Sequence, residues 1–146
     1  MTAERLVMRF RQFLLWLTVL VCVGVCAELI LTGHDKEPLQ FVPYILCGLT
    51  VIAALWVLAR PSRNSIWALR ALMVLMALGG LLGSYEHLTG NLALAREVNA
   101  TKANAAVIKT ALTGANPALA PGALGITALL AIAATYYHPA LRPVES

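Results

Sequence analysis

The groups in this chain able to do chemistry are few, and they lie where apolar runs end. Glu28 sits nearly one turn before the close of the first run, and His34 and Asp35 come just after it. Glu86 and His87 close the third run in the stretch Ser84-Tyr85-Glu86-His87-Leu88-Thr89-Gly90-Asn91. Carboxylate with imidazole suits zinc, iron, manganese or copper. The same groups can carry a proton or hydrogen-bond a polar ligand of the quinone type. Glu28, Glu86, His87 and His34 are therefore the candidate ligand or proton site. Their spacing specifies no metal. Neighbours such as Glu86 and His87 project about 100° apart on a helix and do not readily face one ion. The repeated Glu-x-x-His of di-iron bundles is absent. The residues name no cofactor and leave the metal unknown. Glu28 is the most expensive placement, since a carboxylate at the centre of a span costs about 2.5–3.5 kcal/mol, less near its ends. Gly24 and Thr32, at i−4 and i+4, make its face small and polar. Glu28 is thus expected to point into a helix bundle, toward a donor.

Cys22, Cys26 and Cys47 all fall within apolar runs, where buried cysteines pack as small hydrophobes. Three is an odd number and none lies in an outer loop, so no disulfide framework is indicated. A phosphate-binding glycine loop, Cys-x-x-Cys, His-Glu-x-x-His and Gly-x-Ser-x-Gly are all missing. No soluble stretch is long enough to hold a cofactor. These absences argue against an enzyme.

Composition indicates what kind of segments hold these groups. The chain has 146 residues, of which 60% are hydrophobic and 12% charged; soluble domains carry about 25% charged residues. The class is all-α integral membrane, in one domain, with the lipid bilayer as its first partner. Four apolar stretches have the ~20 residues needed to cross a ~30 Å core: about 13–31, 39–59, 66–85 and 118–137. They are continuously apolar rather than alternating, so helices and not a barrel are expected. The first run is longer than the apolar core of a signal peptide and reads as a retained helix.

The net charge of +4 is a statement about topology rather than about nucleic acid. Arg5, Arg9, Arg11, Arg60, Arg63, Arg70 and Arg142 would share one side; Lys36, Arg96, Lys102 and Lys109 would share the other. The positive-inside rule then places both termini in the cytoplasm. Trp16, Trp56, Trp67, Tyr136 and Tyr137 fall toward that same side as an aromatic belt. Arg70, one turn beyond Trp67, can snorkel to the interface.

Leu31-Thr32-Gly33 and Leu88-Thr89-Gly90 lie 57 residues apart, each preceded by a glutamate, Glu28 and Glu86. Pro43 and Pro61 bracket the second run, and Pro121 and Pro139 bracket the fourth, each pair 18 residues apart. These matches suggest two helix hairpins in tandem, 2+2, with Leu-Thr-Gly as a shared turn. Between spans three and four, Leu94, Val98, Thr101, Ala105, Ile108 and Leu112 recur at helical spacing. This predicts an outer amphipathic helix over about 92–113, with Asn91 as its cap. Small residues, Gly79 and Gly83 on the third run and Gly122 and Gly125 on the fourth, predict close helix packing.

The reading that gathers these features is a small, multi-pass protein of a bacterial cytoplasmic (inner) membrane. It would act as a non-catalytic accessory, scaffold or assembly subunit, joined to copies of itself or to other membrane subunits. The alternatives are a protein binding a metal ion, proton or quinone-like ligand at the outer end, or a small oligomeric transporter.

Overall fold

The structure, a computed structural model, describes residues 2–34, 36–98, 104–112 and 121–142. The described residues contain helices and no strand. The first helix, α1, runs Ala3–Leu31. A 3-10 turn at Pro38–Phe41 leads into α2, Val42–Ala59. Arg60 ends α2 in a non-helical conformation, as the residue before a proline tends to. A serine pair then starts the next helix. The Ser65 N–H donates to Ser62 Oγ (3.1 Å) and the Ser62 N–H donates back to Ser65 Oγ (2.9 Å). This closes two of the N–H groups a helix start leaves open. The helix so begun, α3, extends over Arg63–Val98; α4 is Asn104–Leu112 and α5 is Gly122–Thr135.

Four of these helices form a ring in the order α1, α2, α3, α5, with α5 packed against both α3 and α1. The inward residues explain the arrangement. Leu15, Thr18 and Cys22 of α1, Cys47, Thr50, Ala54 and Val57 of α2, and Ile66, Leu69, Met73, Met76 and Gly80 of α3 are all buried. So are Leu124, Ala128, Ala131 and Ala134 of α5. Alternating three- and four-residue steps keep one narrow seam facing the neighbours, the geometry of near-antiparallel bundles. Thr18 and Thr127 satisfy their hydroxyls within their own helices, Thr18 donating to the Leu14 carbonyl (2.8 Å) and Thr127 to that of Ala123 (2.7 Å), while the buried Thr50 Oγ1 has no partner among the described residues. The outward faces are large and apolar, including Leu20, Val23, Ile52, Leu75 and Leu78.

Three segments are long and apolar enough to cross a membrane: Ala3–Leu31, Pro38–Ala59 and Arg63–Val98. The fourth expected span, 118–137, appears as a 14-residue helix of about 21 Å, below the ~30 Å of a hydrocarbon core; positions 118–120 lie outside the described residues. Pro121 precedes its first turn, and its far end turns off at Tyr137, whose φ of 46° is left-handed. The tandem 2+2 plan is not upheld either, because the two Leu-Thr-Gly stretches behave differently. At the end of α1, Gly33 has φ +62°, its N–H donates to the Ile30 carbonyl (3.1 Å), and the His34 N–H donates to that of Leu29 (2.9 Å). That pattern is a Schellman cap. Leu88-Thr89-Gly90 lies within the unbroken α3.

The expected outer helix starting at Asn91 is likewise corrected. Asn91 is buried inside α3, which continues to Val98; residues 99–103 and 113 lie outside the described residues. The predicted stripe is the wrong face. Leu94, Val98, Ile108 and Leu112 are exposed, while Ala95, Val107 and Ala111 pack together with Leu92 beside them. Small alanines let two backbones close over a short contact, so they outcompete the larger side chains that defined the stripe.

Candidate functional site

At the end of the bundle opposite the start of α1, the α1–α2 connection and α3 enclose a cavity of about 490 Å³. His34, Glu37 and Gln40 line it from the connection, and Glu86, His87 and Gly90 from α3. Leu39, Val42, Pro43 and Leu82 supply an apolar wall.

Each polar group is held by local chemistry. His34 is the residue that closes the Schellman cap of α1, so the turn at Gly33 sets its direction. Thr32 Oγ1 reinforces that turn by donating to the Glu28 carbonyl (2.9 Å). Glu37 and Gln40 form a capping box at the 3-10 turn. The Gln40 side-chain oxygen accepts from the N–H groups of Lys36 (2.8 Å) and Glu37 (3.3 Å). This satisfies two donors and stiffens the connection. On α3, Leu82, Glu86 and Gly90 form one i+4 row, and Gly83 and His87 form the adjoining row.

Glu86 and His87, expected not to face one ion readily, lie on adjoining rows and both border one cavity. A cavity wide enough to border both rows receives a residue from each. The His34 and His87 rings stand 6.1 Å apart, edge to face at 63°. The structure thus brings His34, Glu86 and His87 together from segments more than 50 positions apart in sequence. Glu28 does not join them. It is exposed, because the inward seam of α1 runs through Leu15, Thr18 and Cys22 and leaves Glu28 to one side. Its expected inward orientation is therefore incorrect. Asp35 lies outside the described residues. Sequence reasoning passed over Glu37 and Gln40, although Glu-Pro-x-Gln is a legible helix start.

The three thiols meet elsewhere, between α1 and α2. Cys47 is within hydrogen-bond reach of both Cys22 and Cys26, and all three are free cysteines. Among the described residues, no group of three or more His, Cys, Asp and Glu side chains is arranged to hold a metal ion.

The small residues seat α5. A Cβ on Gly80 would stand 3.0 Å from the Pro121 carbonyl oxygen, and one on Gly83 would stand 2.9 Å from Pro121 Cβ. A Cβ on Gly79 would meet the movable tip of Leu46 (2.8 Å). Added Cβ atoms at Gly122 and Gly125 would meet nothing within 4 Å. Close approach therefore centres on Gly80 and Gly83, and it brings Pro121 up beneath the cavity wall at Gly83.

The opposite end is basic. The Arg11 guanidinium donates to the carbonyls of Ala134 (3.1 Å) and Tyr137 (3.3 Å). Arg70 donates to Thr135 Oγ1 (3.2 Å) and to the Thr135 carbonyl (2.7 Å), with Trp67 beneath it at 5.4 Å. These cations cap the electron-rich C-terminus of α5. His138 is buried beside them, and its Nδ1 accepts the Ala140 N–H (3.2 Å).

No protein-family model, no curated protein and no solved structure matches the chain.

Proposed function

We propose that this chain is a non-catalytic, multi-pass protein of a bacterial inner membrane that binds a quinone-like headgroup in the cavity of His34, Glu86 and His87. One observation carries the reading: a single cavity sets two imidazoles and a carboxylate beside an apolar wall. Imidazole N–H groups donate to the carbonyl oxygens of such a ring, and Leu39, Val42, Pro43 and Leu82 match its apolar faces. Depth fits as well. Glu86 lies about 35 Å along α3 from Arg63, roughly one hydrocarbon core from the basic end. The cavity then opens at the far interface, where an isoprenoid tail remains in lipid. The basic end faces the cytoplasm under the positive-inside rule, and the cavity faces outward.

Binding of a short-chain quinone to the purified protein, measured by isothermal calorimetry in detergent, tests the reading. His34→Ala and His87→Ala should each weaken binding about tenfold, the worth of one lost buried hydrogen bond. Glu28→Gln, outside the cavity, should bind as the wild type does. Equal affinity in all four proteins would sink the proposal.

An accessory-subunit role is the second reading. The exposed Leu94, Val98, Ile108 and Leu112 of α3 and α4 favour it, since they offer an apolar face at the cavity end to another membrane subunit or a second copy.

A further inference from the structure

The arginines of the basic end do more than cap α5. Arg11 and Arg70 each spend part of their five donors on α5 carbonyls. Arg142, at the end of the described chain, is exposed, and its side chain makes no hydrogen bond or ion pair among the described residues. No carboxylate among those residues forms a salt bridge with Arg11, Arg70 or Arg142. Like charges are nonetheless held together: Arg142 acts on Arg11 through space, and both Arg11 and Arg70 act on His138. Such crowding, with Glu4 the one acid lining the cavities beside it among the described residues, is eased when an anion joins it.

The surface there is concave. A cavity of about 390 Å³ is lined by Arg70, Tyr136, Tyr137, His138, Leu141 and Arg142. A second, of about 490 Å³, shares Tyr137 and Arg142 and adds Arg11, Val7, Met8 and a single acid, Glu4. The left-handed backbone at Tyr137 turns the two tyrosines outward, edge to face with centroids 4.7 Å apart. Their hydroxyls add donors at the rim. Apolar surface adjoins the cations: Val7 and Met8 are exposed, as are Phe10 and Phe13, which stack on each other.

We propose that this end binds the phosphodiester of an anionic lipid, held between Arg70 and Arg142 at the rim set by Tyr136 and Tyr137. Guanidinium forks match phosphate oxygens in two-pronged fashion. The acyl chains lie along the exposed apolar face of α1. That face is the reason to assign the phosphate to a lipid: soluble phosphate makes no use of it. The site is separate from the imidazole cavity and does not depend on what binds there.

Native mass spectrometry of the full chain, from micelles holding equal phosphatidylglycerol and phosphatidylcholine, tests this. The wild type should retain phosphatidylglycerol selectively. Arg142→Gln removes no side-chain bond among the described residues and should lower that retention about tenfold, the worth of one charge-assisted contact. Arg60→Gln, an exposed cation between α2 and α3 and outside both cavities, should retain it as the wild type does. Equal retention by wild type and Arg142→Gln overturns the site. Equal loss in Arg60→Gln and Arg142→Gln overturns it too, in favour of a diffuse charge effect. Inorganic phosphate that displaces phosphatidylglycerol at equal concentration overturns the lipid assignment.

Discussion

His138 differs from the other two histidines in its surroundings. It is 6% exposed, and its ring nitrogen is committed to the Ala140 N–H. Burial first, and then the charges of Arg11 and Arg70, hold its pKa below the ordinary histidine value. In the unfolded chain this group titrates near 6.5. As pH falls from there, the unfolded chain takes up a proton that the folded one resists. The contribution of His138 to stability is thus complete above about pH 6.5 and is lost as pH falls through the lower, folded pKa. The melting temperature of the detergent-solubilised protein should hold steady above that pH and drop on acidification below it. His138→Asn keeps an acceptor for Ala140 and removes the titration, so it should flatten this drop. An undiminished drop in the variant would assign the pH dependence to other groups. His138 carried no signal in the sequence, because burial and two arginines from distant helices create its character. His34, Glu86 and His87 were legible, since polar groups at the ends of apolar runs stand out on insertion cost alone. Glu28 stood out for the same reason and led astray: cost says that a carboxylate is unusual, not which way it faces.

At the scale of the element, the two Leu-Thr-Gly stretches are the instructive pair. Thr32 and Thr89 make the same bonds, each donating to the carbonyls four and three residues back. The repeat in sequence is therefore a repeat in side-chain chemistry, while the helix stops at one copy and continues through the other. Glycine permits a stop but does not impose one. The residues on the C-terminal side of each glycine decide between the two outcomes. Asp-Lys-Glu-Pro comes soon after Gly33, whereas Asn91 and Ala95 after Gly90 are helical and buried. Glycine-to-alanine changes separate the two. Gly33→Ala forces a Cβ into a left-handed turn (φ +62°) and should cost about 1 kcal/mol. Gly90→Ala meets open space within a helix and should stabilise by about 0.5–1 kcal/mol. Thermal unfolding of both variants checks the pair, and a loss of stability in Gly90→Ala would restore the shared turn. The helical elements themselves were legible, because long apolar runs have few alternatives. Their ends were not: α3 outran its apolar stretch and α5 fell short of its own. Capping and neighbour contacts, such as Gly83 against Pro121, set ends more than hydropathy does.

For the whole molecule, the contacts of α5 determine which ends lie together. Arg11, near the start of α1, bonds the end of α5, and so does Arg70 near the start of α3. The start of α1 and the finish of α5 therefore lie at one end, together with the α2–α3 connection. This holds although α5 has only 14 residues, for a helix held between two longer neighbours in a ring need not match the bilayer by its own length. The flanking segments and local thinning can absorb the deficit. The arginines that bond α5 also belong to the basic set that the proposed cytoplasmic orientation rests on, so packing and charge bias would act on the same end. Reporter fusions test the arrangement. A fluorescent protein fused at either terminus should mature, as it does in the cytoplasm, and alkaline phosphatase inserted within residues 99–103 should be active. Should phosphatase be active at the C-terminus instead, α5 does not return the chain across the membrane. The bonds from Arg11 and Arg70 would then have to form around a helix that enters and leaves by the same face. The cavity and the arginine cluster stay at opposite ends of α3 in either case, so the fusions decide the path of α5 and leave the separation of the two ends as it is.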